Sequence, residues 1–205
     1  MQEFSTTVEN FPCKFHVTKE YSQMKFIKKM LNFIRGEQPL DKLISRGLKI
    51  GKNFTRMSGV IIDPSHCWHI EIGDDVILAP RVHILAHDAG TKLFLNYTRV
   101  SNVKIGNKVF IGAGSIVLPG VTIGDNVVIG AGSIVSKDIP SNSLAVGSPA
   151  KVICSLEEYL QKKRNNMNEL NTFDSSYTLR NTNFNKAQKL KMLEVSIKYG
   201  ELFVE

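Results

Sequence analysis

A period of six residues dominates the middle of the chain. From Val103 onward the sequence divides into the units VKIGNK, VFIGAG, SIVLPG, VTIGDN, VVIGAG and SIVSKD. The third residue of every unit is β-branched and apolar: Ile105, Ile111, Val117, Ile123, Ile129 and Val135. A six-residue period fits neither an amphipathic helix nor an alternating strand, but it is typical of a parallel β-helix. The sequence therefore predicts coils stacked about 4.8 Å apart, with each branched residue over its counterpart in the next coil.

The same step extends upstream and is then broken by a loop. Further branched or apolar residues keep the spacing at Ile72, Leu78 and Ile84, and more weakly at Ile50 and Ile62. Between Leu85 and Asn102 the period is lost, and it resumes at Val103. A segment that leaves a stacked coil and returns is a loop on a rigid scaffold, where functional residues concentrate. We predict a β-helix over residues 48–154 with a projecting loop at residues 85–102.

The flanks of the repeat have helical patterns. An N-terminal helical segment is expected within residues 1–47, where one helical face carries Met24, Ile27, Met30, Leu31 and Ile34. A C-terminal helical extension is expected over residues 155–205, with helices at 155–166 and at about 184–199. The predicted fold class is thus all-β, a parallel β-helix of hexapeptide repeats with helices at both ends.

Composition narrows the environment more than the function. Hydrophobic residues make up 42% of the chain but aromatic residues only 8%, so the core is expected to be aliphatic. The net charge of +7 suits anionic partners without selecting one, and no basic run with interleaved aromatics indicates nucleic-acid binding. The three cysteines form no CxxC pair, and no stretch reaches about 18 consecutive apolar residues. We expect a cytoplasmic protein without a membrane span.

Four features together resemble one enzyme family. They are the hexapeptide units, a histidine (His87) at the root of the projecting loop, the stretch IGAGSIVSKDIP, and the ending AVGSPAKVI. Over residues 48–154 the chain resembles the hexapeptide-repeat acyltransferases, in particular the maltose, galactoside and polysaccharide O-acetyltransferases. The resemblance implies a left-handed parallel β-helix and a homotrimer with active sites at the subunit interfaces. The left hand comes from the resemblance alone, because the general rule for crossover connections predicts the right hand.

The resemblance also implies a reaction and a catalyst. It identifies His87 as the general base in direct acetyl transfer from acetyl-CoA to a hydroxyl of a sugar or polysaccharide precursor. The chemistry needs such a group, because a sugar hydroxyl is a poor nucleophile until a base removes its proton. Imidazole, with an ordinary pKa of about 6.5, is suited to this at neutral pH. N-acylation of an amino sugar stays open as an alternative.

Motif matching to the family assigns the acetyl-CoA contacts. The matched cofactor-binding residues are Ala113, Ala131, Ser136, Lys137 and Lys151. The two alanines belong to successive IGAG motifs, where a small side chain lets the pantetheine arm approach the backbone. Lys151 matches a basic residue near the nucleotide phosphates. Cys154 stands where the family often has a second basic residue, and this departure weakens the predicted phosphate site.

Other polar residues near the loop have simpler interpretations. His83 directly precedes the stacked Ile84, so its side chain is expected to point away from the coil interior. Asp88 is a weak candidate for orienting His87, because adjacent side chains usually diverge. Three further residues are candidate acceptor contacts, with structural packing as the simpler interpretation: Asp63, His66 and His69.

Two other function classes stay open on the sequence alone. The γ-class carbonic anhydrases share the β-helix and bind zinc through three histidines. His83 and His87 could be mistaken for part of such a set. The projecting loop and the SPAKVI ending fit that interpretation poorly, and no metal is expected. The second class is a non-catalytic β-helix that serves as an assembly module, which would not need a histidine at the loop root.

Overall fold

Three sides of short parallel strands enclose one aliphatic core in the computed structural model, which describes residues 37–205. The predicted N-terminal helical segment lies outside the described residues except for its last part. There, α1 spans Leu40–Ser45 and buries Leu43 against the first coil.

Each of four complete coils contributes one strand to each side, and two further strands extend the second side. The first side contains β1 (Lys49–Ile50), β4 (Ile70–Ile72), β9 (Val103–Ile105) and β12 (Thr122–Ile123). The second contains β2 (Thr55–Arg56), β5 (Ile77–Leu78), β10 (Val109–Ile111), β13 (Val127–Ile129), β15 (Ser143–Val146) and β16 (Lys151–Ser155). The third contains β3 (Ile61–Ile62), β6 (His83–Ile84), β11 (Ile116–Val117) and β14 (Ile134–Val135). The pairs within the three sides are parallel except for β15 with β16.

The core is built from the residues that the six-residue period singles out. On the first side Ile72 pairs with Ile105 and Ile105 with Ile123, so that the three side chains stack through successive coils. The equivalent stacks on the other sides are Leu78, Ile111 and Ile129, and Ile84, Val117 and Val135. All nine are at most 2% exposed. Stiff β-branched side chains suit such a stack because they lose little rotamer freedom on packing. The predicted β-helix of hexapeptide repeats is confirmed.

Tight corners between the first and second sides explain the Gly and Asn positions in the repeat. A Cβ on Gly106 would lie 2.8 Å from the backbone of Gly124 in the next coil, so only glycine allows this coil spacing. Asn126 has a positive φ of 55°, a conformation that asparagine tolerates better than most residues. Its Nδ2 donates a hydrogen bond to Asn142 Oδ1 one coil later, at 3.0 Å.

Two interruptions of the repeat fall at the same corner in consecutive coils. Ile62 to Ile72 spans ten residues rather than six, which inserts a turn containing the 3-10 helix Cys67–His69. Ile84 to Ile105 spans 21 residues and forms the projecting loop, with β7 (His87–Asp88), α2 (Lys92–Leu95) and β8 (Arg99–Val100). Both lie between the third side and the first side. We call residues 63–69 and 85–102 the interrupted corner.

The chain continues past the β-helix into a helical extension. It contains α3 (Leu156–Asn166), β17 (Thr172–Phe173), a 3-10 helix (Ser175–Tyr177), α4 (Lys186–Tyr199) and β18 (Phe203–Val204). Capping boxes fix the starts of both α-helices, with Ser155 as the N-cap of α3 and Asn185 as the N-cap of α4. Cys67 and Cys154 are free thiols. Within residues 37–205, none of the helices combines the length and the apolar character that crossing a bilayer requires.

Candidate active site

The interrupted corner brings Asp63 against His87. Asp63 directly follows β3, His87 opens β7 one coil later, and the Asp63 side chain is fully buried. His87 Nδ1 donates a hydrogen bond to Asp63 Oδ2 at 2.5 Å, and the Ala86 backbone N–H donates to the same oxygen at 3.0 Å. The backbone N–H groups of Ser65 and His66 donate to Oδ1 at 2.9 and 3.1 Å. Both carboxylate oxygens therefore have two donors each.

These donors determine the ionisation of Asp63. Burial by itself raises the pKa of the Asp63 carboxyl. The hydrogen bonds from His87 and from the backbone N–H groups of Ser65, Ala86 and His66 outweigh burial and hold the pKa below its ordinary value. Asp63 is thus an ionised acceptor at neutral pH.

An ionised Asp63 fixes the tautomer of the neutral His87 ring. A carboxylate only accepts hydrogen bonds, so the proton of the imidazole sits on Nδ1 and the lone pair sits on Nε2. None of the groups in residues 37–205 hydrogen-bonds Nε2, and the His87 side chain is 32% exposed. In the neutral ring Nε2 is thus the free acceptor of a partly exposed side chain, and a buried negative charge lies at the opposite nitrogen.

A row of aromatic rings continues from His87 along the inserted turn. The His66 ring centroid lies 4.9 Å from that of His87 and 5.4 Å from that of Trp68, both at tilted angles. The buried Nδ1 of His66 has no hydrogen-bond partner within the described part of the chain. The orientation of the His66 ring therefore depends on its contacts with the neighbouring rings.

The lowered pKa of Asp63 predicts a pH-dependent contribution to stability. A carboxyl whose pKa is lower in the folded than in the unfolded chain stabilises the fold above its unfolded pKa, near 3.8. That stabilisation is lost as the pH falls through the folded pKa. Replacing Asp63 with Asn leaves a buried N–H without its acceptor, so we expect a loss of about 1–3 kcal/mol of unfolding free energy at about pH 7. The difference should shrink below about pH 3.8 in urea unfolding at several pH values, and a difference that is constant with pH would contradict this.

Asp63, His66 and His87 also form a cluster of metal-ligand types, with one atom of each within 4.8 Å of the others. The Asp63–His87 pair is spaced as a hydrogen bond and not as two ligands of one zinc ion. Two ligands of a tetrahedral zinc stand roughly 3.3 Å apart at ordinary bond lengths, whereas Asp63 Oδ2 and His87 Nδ1 are 2.5 Å apart. The carboxylate is moreover saturated by N–H donors. Among residues 37–205 this is the one such cluster, and it does not include His83.

We call the Asp63–His87 pair the dyad. The other candidates near the loop root, His83 and Asp88, lie outside it. His83 is half-buried on the third side and lines a shallow pocket with Arg81 and Ser58. Asp88 is exposed, and its Oδ1 accepts a hydrogen bond from the Gly90 backbone N–H at 2.8 Å. Asp88 therefore stabilises the turn of the loop, and Asp63 occupies the orienting position beside His87.

The five cofactor candidates lie on the surface around the third side. Ala113 and Ala131 are exposed in equivalent turns of successive coils, where the Gly132 N–H donates to the Ala113 carbonyl at 2.8 Å. Ser136 and Lys137 follow β14, at the same corner as the loop root but two coils further on. Lys151 is exposed at the start of β16. Successive coils thus bring Ala113 and Ala131 together.

The sequence indicates Asp63 only as a candidate acceptor contact, and the structure adds its hydrogen bond to His87. The sequence does contain a signal for this contact. The step from Ile62 to Ile72 is four residues too long, and it falls at the same corner of the β-helix as the later loop, one coil earlier. Two insertions at one corner of consecutive coils must lie beside each other.

Several known proteins are similar in sequence to this chain. The family model "Bacterial transferase hexapeptide (six repeats)" matches residues 102–137. Protein CapG of Staphylococcus aureus is 41% identical over 143 residues, covering 66% of this chain and 81% of that protein. The galactoside O-acetyltransferase of Lactococcus lactis is 34% identical over 186 residues, covering 84% of this chain and 82% of that protein. The galactoside O-acetyltransferase of Escherichia coli is 40% identical over 126 residues, and the match covers 60% of this chain but only 61% of that protein.

Proposed function

The chain belongs to the hexapeptide-repeat acyltransferase family, and from that premise we propose that it transfers an acetyl group from acetyl-CoA to a sugar hydroxyl. The acceptor is a free sugar or a polysaccharide precursor. The observation that carries the proposal is the Asp63–His87 dyad, which occupies Nδ1 of a partly exposed His87 and leaves Nε2 as its free acceptor. Two relatives named galactoside O-acetyltransferases support the O-acetyl reaction.

The dyad supplies both proton transfers of the reaction. His87 Nε2 takes the proton of the acceptor hydroxyl as the oxygen attacks the thioester carbonyl of acetyl-CoA. The buried Asp63 carboxylate stabilises the imidazolium that forms, through the Nδ1–H hydrogen bond. When the tetrahedral intermediate breaks down, the C–S bond is cleaved and Nε2 returns the proton to the departing thiolate. The products are the acetyl ester and CoA.

The acetyl-CoA site is proposed at Ala113, Ala131, Ser136, Lys137 and Lys151. At Ala113 and Ala131 the exposed turns leave the backbone accessible to a pantetheine arm. Lys151 is exposed and free of ion pairs within the described residues, so its ammonium group can meet a phosphate. We expect the protein to act in the cytoplasm, where acetyl-CoA is available.

A homotrimer is part of the proposal. The tip of the projecting loop exposes four large apolar side chains by 63–88%: Leu93, Phe94, Leu95 and Tyr97. A contiguous exposed apolar patch of this kind marks an interaction surface. In the trimer we propose, this tip packs on a neighbouring β-helix and closes the active site at the subunit interface.

Acetyl-CoA is expected to stabilise the protein by binding to the folded state. Ligand at about one hundred times its Kd stabilises by about 2.7 kcal/mol, which a thermal-shift assay detects as a higher Tm. Lys151→Ala should weaken acetyl-CoA binding about tenfold by removing a charge-assisted contact to phosphate. Lys52→Ala, an exposed lysine on another corner, is the matched control and should bind normally. No shift of the wild-type Tm at about 1 mM acetyl-CoA would favour a non-catalytic module.

A screen of acceptors tests the reaction itself. Release of free thiol from acetyl-CoA is followed with galactosides, glucosides, maltose, amino sugars and serine as acceptors. We expect thiol release that depends on a sugar with free hydroxyls. Thiol release with serine alone, or with no acceptor in the panel, would contradict the proposed function.

A further inference from the structure

Trp68 is exposed at a place where the fold does not require an aromatic residue. It lies in the turn inserted between β3 and β4, and 51% of its surface is exposed. The Cβ end of its side chain is closely packed, since a Cβ on Gly47 would lie 2.8 Å from the Trp68 Cβ. An indole carries a large apolar area that is ordinarily buried in part by its own fold. The backbone therefore fixes Trp68 in place while its ring stays available.

The exposed ring lies beside the catalytic dyad. His66 packs between Trp68 and His87, with ring-centroid distances of 5.4 and 4.9 Å. The ring centroid of His69 also lies close to the indole, 5.8 Å away. His69 Nδ1 lies 2.6 Å from Asn102 Oδ1, which connects the inserted turn to the end of the projecting loop. The two insertions that build the dyad also hold the indole.

Polar and charged side chains line a cavity that the indole borders. Its volume is about 240 Å³, and its walls include Trp68, His69, Glu71, Asn102 and Lys104. A flat aromatic face next to several hydrogen-bonding groups matches the chemistry of a sugar ring. Such a ring has one face of C–H groups, which packs on an aromatic ring, and a rim of hydroxyls, which bind polar groups.

We propose that Trp68 is a specificity-determining residue whose indole stacks on the apolar face of a cyclic sugar in the acceptor. The proposal rests on the proposed function and narrows the acceptor to a pyranoside. The side chains of the cavity then hydrogen-bond the hydroxyls of the stacked ring, and an acceptor hydroxyl reaches His87 Nε2. A linear polyol or an amino acid offers no ring face to the indole.

The single tryptophan of the chain makes binding directly observable. Methyl β-galactoside and maltose are the probes, and sorbitol at the same concentration is the acyclic control. We expect a glycoside to shift the Trp68 emission to shorter wavelength and to protect it from acrylamide quenching, while sorbitol does neither. An emission that is already protected without sugar and does not change on adding glycosides would overturn the proposal, because a neighbouring subunit would then cover Trp68.

Kinetics of two variants give a second, independent readout. Trp68→Ala should raise the KM of the glycoside at least tenfold, while kcat falls no more than about threefold and the KM of acetyl-CoA does not change. Trp68→Phe keeps an aromatic face and should recover most of the affinity for the glycoside. An unchanged glycoside KM in Trp68→Ala, with acetylation intact, would overturn this inference and leave the proposed function standing. Absence of sugar acetylation by the wild type would contradict the proposed function itself.

Discussion

Replacing His87 with Ala is expected to lower kcat by about 10²- to 10⁴-fold, the range that a positioned general base contributes. The acceptor hydroxyl would then have no group to take its proton as it attacks the thioester. The affinity for acetyl-CoA should stay nearly the same, because the proposed cofactor contacts lie in other turns of the β-helix. Steady-state thiol release gives kcat, and the thermal shift with acetyl-CoA gives the binding.

The matched control for this variant is His83→Ala. His83 is the other histidine near the loop root, and it lies on the third side, outside the dyad. Its replacement should change kcat by less than about threefold. A His87→Ala protein that retains wild-type kcat would show that His87 is not the general base. A larger loss of kcat in His83→Ala than in His87→Ala would assign that role to His83.

Asp63→Asn is expected to lower kcat by about 10²-fold or more while the protein stays folded. The replacement keeps the shape but removes the negative charge, so that the imidazolium loses its stabilisation and the Nδ1 proton loses its acceptor. Because Asp63 acts through His87, it is a positioning residue. Its loss should also change the pH profile of kcat, because the imidazolium that forms in the reaction then lacks its carboxylate partner.

Asp88→Asn separates this role from a general effect of charge near His87. Asp88 is adjacent to His87 in sequence, but its carboxylate binds the Gly90 N–H in the loop. It should keep kcat within about threefold of wild type and leave the pH profile unchanged. Equal losses in both aspartate variants, with unchanged pH profiles, would contradict the orienting role of Asp63.

The core of this fold can be predicted from the sequence because its constraint is local and periodic. Every β-branched residue placed in a stack by the six-residue step is buried, from Ile72 to Val135. In the structure, capping boxes at Ser155 and Asn185 fix the starts of α3 and α4, which are equally local signals. The left hand of the β-helix belongs to the family, since the hexapeptide period by itself does not specify a hand.

The site is less predictable because it depends on which residues face each other across coils. His87 could be identified from its place at the loop root, whereas its partner is 24 residues earlier in the chain. Asp88 is the nearer carboxylate in sequence, but the strand geometry turns adjacent side chains apart. Only the alignment of the two insertions at one corner puts Asp63 beside His87.

The structure of the product tests the central claim most directly. The wild-type protein is incubated with acetyl-CoA and either methyl β-galactoside or galactosamine, and each product is analysed by NMR. If the dyad activates a sugar hydroxyl, the wild type forms an acetyl ester on a ring hydroxyl of the galactoside. His87→Ala does not form this ester. An amide on galactosamine as the sole product, or an ester formed equally well by His87→Ala, would contradict the account.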